Sequence, residues 1–216
     1  RLQTEADKTR QMLYEIMATA SKFFTNQLNT RQAYNCQKYI ETRNISTQSM
    51  EQFEIGFAPK GYQELYHHLK EKGFNANLIR KSGLCIESES DHSVFDRFRN
   101  RLIFPIKDER ERIIAFGGRS LDANPRAKYL NSPETLLFSK GHVVYNFSSV
   151  RKTRVQKSSL IVVEGYMDVI ALFQAGFPNA VAPLGTAITS SQLKLLWKLD
   201  REPTILLDGD EAGQKA

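Results

Sequence analysis

Apolar positions recur at helical spacing from the start of the chain. Between residues 7 and 28 they fall at Leu13, Ile16, Met17, Ala20, Phe23, Phe24 and Leu28, with the charged residues elsewhere, which predicts an amphipathic helix. Further helices are predicted over residues 31–42 and near residues 47–53. The runs 62–72 and 76–82 are followed by Gly73 and Gly83, so each reads as a helix closed by a C-terminal glycine. The first ninety residues are therefore expected to be mostly helical.

The period then changes. Residues 99–106 alternate, with Leu102, Phe104 and Ile106 on one face and Arg99, Arg101 and Ile103 on the other; a charged turn at 107–110 leads to Arg112-Ile-Ile-Ala-Phe-Gly, which predicts a β-hairpin. Residues 121–140, rich in Asn, Pro and Ser, read as loop before a short strand at 142–145, and 151–159 reads as a solvated helix or linker. From Leu160 the order becomes strand (160–163), helix (167–175, ended near Gly176), strand (180–183), a helix opened by the capping box Thr189-Ser-Ser-Gln192, and strand (204–207). That alternation implies parallel pairing. The expected fold is α+β: a mainly helical, mixed subdomain with a β-hairpin over residues 1–155, then an α/β subdomain with a parallel sheet over 156–216.

Two of the late strands stop abruptly on acids. Leu-Ile-Val-Val ends at Glu164, and Thr-Ile-Leu-Leu ends at Asp208-Gly-Asp210. Parallel α/β sheets bind ligands outside the carboxyl ends of their strands, so these carboxylates can share one crevice. Mg²⁺ takes hard oxygen ligands, and clustered carboxylates repel one another unless a cation offsets the charge. Asp-Gly-Asp alone fits equally an acidic helix N-terminus favoured by the dipole; the second acid-ended strand turns the reading toward a metal site. Asp168, in the first turn of the helix after Glu164, suits either a capping or a supporting role.

Composition narrows the class. The chain has 216 residues, 41% of them apolar, enough for real cores, and no apolar run approaches the roughly 20 residues of a membrane span. With no secretion-signal pattern at the start, a cytoplasmic protein without membrane partners is expected, and Arg1 and Ala216 read as the ends of an excised piece. Cys36 and Cys85 are isolated, so neither zinc site nor disulfide framework is indicated. The net charge of +6 is concentrated: residues 96–154 hold 13 Lys and Arg against 6 Asp and Glu, and the rest of the chain balances to −1. A clustered basic zone is the footprint of a surface that meets a polyanion.

Glu164-Gly-Tyr-Met-Asp168-Val, Leu184-Gly-Thr186 and Asp208-Gly-Asp210-Glu-Ala-Gly213 together resemble the Toprim domain. With Arg99-Asn-Arg-Leu-Ile-Phe-Pro-Ile106, Phe116-Gly-Gly-Arg119 and Lys128-Tyr-Leu-Asn-Ser-Pro-Glu-Thr135 upstream, the wording is similar to the catalytic core of the bacterial DNA primase family, from about Tyr39 through Ile55-Gly-Phe-Ala-Pro59 to the last residue. The resemblance implies a DNA-directed RNA polymerase that starts RNA primers on single-stranded DNA from ribonucleoside triphosphates at the replication fork. It implies Glu164, Asp208 and Asp210 as catalytic ligands of Mg²⁺, with Mn²⁺ as a substitute. The family's zinc-binding module and the region that contacts the replicative helicase in the primosome fall outside this chain, as does a later acidic motif of the Toprim domain.

Within the basic zone, Arg99 and Arg101 are two apart and can form a short ridge, Arg119 follows two glycines, and Lys128-Tyr129 joins a cation to a ring suited to base stacking, worth about 1–3 kcal/mol per base. By resemblance Arg99, Arg101, Arg119, Lys128, Tyr129, Asn131 and Lys140 hold template and incoming nucleotide. Two other readings stand beside this one: a Toprim topoisomerase or nuclease that cleaves strands, and a non-catalytic nucleic-acid-binding scaffold.

Overall fold

The computed structural model describes residues 4–153, 159–185, 187–207 and 209. By internal contacts the chain forms two units: residues up to Pro105 with Ile113–Phe138, and Ile106–Arg112 with the residues from Ser139 onward.

In the first unit the opening amphipathic stripe becomes α1 (Glu5–Gln27), started by a capping box in which the Thr4 hydroxyl accepts from the Asp7 N–H at 3.1 Å and the Asp7 carboxylate accepts from the Thr4 N–H at 3.2 Å. Its buried face, Leu13, Ile16, Met17, Ala20, Phe23 and Phe24, lies on a four-stranded sheet of order β1 (Gly56–Ala58), β4 (Arg101–Lys107), β5 (Ile113–Ser120), β6 (Tyr129–Asn131). Phe24 meets Phe116 edge-on at 5.3 Å, and a Cβ on Gly56 would come within 2.6 Å of the Phe24 Cβ, so glycine is what lets the helix approach this closely. Helices α2 (Tyr34–Thr42, after a 3-10 turn at Arg31–Ala33), α3 (Thr47–Gln52), α4 (Glu64–Glu71) and α5 (Ala76–Lys81) follow the expected order, with Gly73 and Gly83 closing the last two at φ of +88° and +75°.

A two-stranded ribbon, β2 (Cys85–Glu87) and β3 (Val94–Asp96), completes this unit and supplies a cap from a distance. Gln63 provides no side-chain cap for α4; instead the Asp96 carboxylate, only 2% exposed, accepts the N–H groups of Leu65 and Tyr66 at 2.8 and 2.9 Å.

The hairpin departs from its predicted alternation in two ways. Asn100 has φ +49°, which breaks the extended backbone, so Arg99 stands before the strand rather than in register with Arg101. Leu102, Ile103, Phe104 and Ile106 are all 0% exposed, so the strand is covered on both faces rather than one and the burial shows no alternation. Strands β1, β2, β3 and β6 escape the periodicity argument for a simpler reason. Each is three residues long, too short to show a period of two, and each exists through pairing with a strand elsewhere in the sequence.

The second unit is a sheet of order β10 (Thr204–Ile205), β8 (Ile161–Val162), β9 (Ala180–Pro183), β7 (Val144–Tyr145), with the first three mutually parallel and β7 antiparallel to β9. Helices α6 (Phe147–Thr153), α7 (Tyr166–Gln174) and α8 (Ser190–Leu199) accompany it, around a core that includes Val144, Phe147, Val150, Leu160, Val162, Val181, Leu196 and Leu199. Pairing of β7 with β9 puts residues 139–153 in this unit, whereas the sequence division falls near residue 155. The hairpin tip is shaped by Asp108, whose carboxylate accepts the N–H groups of Arg110 and Arg112 at 2.8 and 3.0 Å. Two of its acids pair with α6: Glu109 with Arg151 at 2.7 Å and Glu111 with Lys152 at 3.0 Å, so these two basic residues are tied to the tip rather than lying on a bare linker.

Candidate functional site

Strand β8 delivers Glu164. The Val163 N–H still donates to the Val181 carbonyl at 2.9 Å, and the chain then leaves the sheet, so the half-exposed Glu164 stands just beyond the strand's C-terminal end. Asp168, exposed in the first turn of α7, accepts the Gly165 N–H at 3.0 Å and so closes that helix's N-terminus. β10 runs parallel beside β8, and the Leu206 N–H donates to the Val162 carbonyl at 2.8 Å, which brings the C-terminal ends of both acid-bearing strands to one edge. Asp208 and Asp210 lie outside the described residues. Among the described residues no group of three or more His, Cys, Asp and Glu is arranged to hold a metal. A carboxylate at that edge is a hard oxygen donor of the kind a divalent cation takes.

Lys140 opens a 3-10 turn (Lys140–His142) whose backbone is held by a side chain from α8. Gln192, 0% exposed, donates through Nε2 to the carbonyls of Lys140 and Val143 at 3.1 and 3.0 Å, while its Oε1 accepts the Thr189 N–H at 3.0 Å. The predicted capping box thus also anchors the segment that carries Lys140.

The basic residues of the first unit sort by sheet face. β5 and β6 pair antiparallel with Arg119 opposite Tyr129, Gly118 opposite Leu130 and Gly117 opposite Asn131. Phe116 and Leu130 pack with the α1 cluster, so by alternation Gly118 faces α1 while Arg119, Tyr129 and Asn131 face the other way. Arg101 belongs to the α1 face: its Cδ lies 3.0 Å from where a Gly118 Cβ would stand, and its guanidinium passes over that glycine. There it donates to the carbonyls of Gly118, Ala127 and Lys128 at 3.1, 3.0 and 3.4 Å. Arg101 therefore fastens the segment that presents Lys128 and Tyr129, both of which are exposed. Arg97, which the sequence reading passed over, does the same one residue pair further on, donating through Nε and Nη2 to the Asn131 carbonyl at 3.1 and 2.9 Å. Burial lowers the pKa of both guanidinium groups from the usual arginine value.

Arg99 and Arg119 are held by rings. The Arg99 guanidinium lies 4.8 Å from the Tyr62 ring and 5.2 Å from that of Phe95, and donates to the Asp96 carbonyl at 2.6 Å. Arg119 lies 4.0 Å from the ring of Tyr39. Tyr62 and Tyr39 carry no local sequence signal, since each is distant in sequence from the arginine it holds, whereas Phe95 is only four residues from Arg99. The Arg-x-Arg-x-Arg spacing at 97, 99 and 101 is a visible signal for Arg97.

Residues 23–151 match the family described as DNA primase catalytic core, N-terminal domain, and residues 158–216 match the Toprim domain. The chain belongs to the DNA primase catalytic core family. Arg99, Arg101, Arg119, Lys128, Tyr129, Asn131 and Lys140 fall in the first match, and Glu164, Asp168, Asp208 and Asp210 in the Toprim match. A DNA primase of Pseudomonas putida is 42% identical over 205 residues, covering 94% of this chain and 31% of that protein. A solved DnaG primase catalytic domain bound to single-stranded DNA is 38% identical with a TM-score of 0.85, over 97% of this chain and 65% of that one. The RNA polymerase domain of Mycobacterium tuberculosis primase is 33% identical with a TM-score of 0.85, over 95% and 69%. The chain spans about a third of the length of the curated primases it matches. The mixed α/β architecture with a Toprim unit agrees with the fold expected from the sequence.

Proposed function

We propose that this chain supplies template- and nucleotide-binding parts of a primase catalytic core that makes short RNA primers on single-stranded DNA. The observation that carries this reading is the family match across both units, together with Glu164 at the C-terminal end of β8 beside the strand that leads to Asp208. Glu164, Asp208 and Asp210 would hold a divalent cation, Mg²⁺ by preference and Mn²⁺ as a substitute. Bound there, the ion supplies charge neutralisation of the triphosphate and the leaving pyrophosphate. Lys128 and Tyr129 offer the template a cation and a stacking surface, and Arg99, Arg119, Asn131 and Lys140 are the further contacts for phosphate and nucleotide. Asp168 keeps Glu164 in place by capping the helix that follows it.

The test is ribonucleotide incorporation on a single-stranded DNA template by the intact protein. Glu164→Ala and Asp208→Ala should each remove several kcal/mol of transition-state stabilisation, a loss of roughly 100-fold or more in rate, with single-stranded DNA affinity little changed. Unimpaired synthesis in Mg²⁺ by either variant rejects the assignment. Cleavage of the template without triphosphates would move the site to the strand-cleaving class.

A further inference from the structure

The arginines of the first unit are held in two different ways. Arg101 is fixed by three carbonyls, but among the described residues Arg119 makes one side-chain hydrogen bond, from Nη1 to the Ser120 carbonyl at 2.8 Å. Its Nε is buried and has no hydrogen-bond partner among the described residues. Leaving a buried donor unpaired is unfavourable, and groups left this way in a folded protein call for an explanation. Hydrogen bonding therefore holds one corner of the Arg119 guanidinium. The Tyr39 ring supplies a second restraint: it lies 4.0 Å away on a half-buried helix position, and it is shared with Arg43, one turn further along the chain, at 5.5 Å. Two like charges drawn to one ring offset their mutual repulsion through the negative face of the π system.

We propose that Tyr39 is a positioning residue for phosphate recognition, fixing the plane of Arg119 so that its remaining Nη2 donors are presented to a phosphate group. The proposal rests on the reading of Arg119 as a nucleic-acid or nucleotide contact. A ring against the guanidinium narrows its range of orientations, and a planar fork loses little further freedom when it binds oxygen. The phosphate belongs either to the template backbone or to a nucleoside triphosphate, and the two share the same chemistry at this arginine. Register strengthens the case, because Arg119 stands directly opposite the exposed Tyr129 on the same sheet face, where a strand whose phosphate meets Arg119 has a ring beside it for a base.

The experiment is a double-mutant cycle in the intact protein, read as dissociation constants for two probes, a single-stranded oligodeoxynucleotide and ATP. Arg119→Ala identifies the probe that uses this arginine. For that probe Tyr39→Leu should weaken binding about three- to tenfold, while Tyr39→Phe and Tyr39→Trp, which keep a ring, should stay within about twofold. Adding Tyr39→Leu to Arg119→Ala should cause no further loss, since the ring acts through the arginine. Tyr39→Met, of similar volume and unbranched, repeats the ring-less arm should the leucine variant melt early. Equal weakening by Tyr39→Leu with and without Arg119, or no weakening where Arg119→Ala has an effect, overturns the positioning role. If Arg119→Ala alters neither probe, the reading of Arg119 itself fails and the role of Tyr39 falls with it.

Discussion

Arg101 provides the sharpest separation of a fastening residue from a contact residue. Its guanidinium makes two hydrogen bonds of ordinary length, 3.1 and 3.0 Å, to the carbonyls of Gly118 and Ala127, and a marginal one of 3.4 Å to Lys128. Charge-assisted bonds to carbonyls contribute about 1.5–3 kcal/mol each, so with a discount for partial exposure Arg101→Met should cost about 2–4 kcal/mol in the local stability of β6. That free energy corresponds to a roughly 30- to 800-fold rise in local opening. The assay is amide hydrogen exchange at Ser120 and Ser132, whose N–H groups donate to the Lys128 and Phe116 carbonyls at 2.8 and 2.9 Å and so report on β5–β6 pairing. On the proposed role of Lys128 and Tyr129 as template contacts, single-stranded DNA affinity should fall in parallel, since both are then presented by a loosened strand. Unchanged exchange protection accompanied by a large loss of DNA affinity would mean that Arg101 touches the nucleic acid directly, and the face assignment would be wrong.

Two further perturbations test how the scaffold is held. Burial raises the Asp96 carboxyl to about 6, partly offset by the Leu65 and Tyr66 N–H groups. The fold therefore favours the protonated form, a contribution present below about pH 4, the unfolded value, and lost as pH rises through about 6. Against Asp96→Asn, the unsubstituted protein should lose up to about 3 kcal/mol of relative stability between pH 4 and pH 7, measured by urea unfolding; a difference that is flat with pH refutes the burial argument. Gln192→Leu leaves the Thr189 N–H and the Lys140 and Val143 carbonyls without their buried partner, so thermal or urea unfolding should show a loss of about 2–4 kcal/mol, with faster exchange around residues 140–143. A neutral substitution there would mean that solvent or backbone satisfies those groups instead.

What the sequence determines by itself is whatever is written in short-range pattern. The α1 stripe, the glycine-closed helices α4 and α5, the Thr189–Gln192 capping box and the alternation of strand and helix after Leu160 all appear where spacing places them, because each depends on contacts a few residues apart. The acid-ended strand at Glu164 and the clustering of positive charge are legible for the same reason. Tertiary structure decides what depends on residues far apart in the chain. Asp96 caps a helix some thirty residues before it, Tyr39 holds an arginine eighty residues later, and three-residue strands form only because a partner strand is there. It also divides the basic zone: Arg101 and Arg119 look alike along the chain, yet strand register sends one over a glycine toward α1 and the other to the opposite face. Charge can be counted in one dimension, but the side of a sheet on which it emerges is set by pairing.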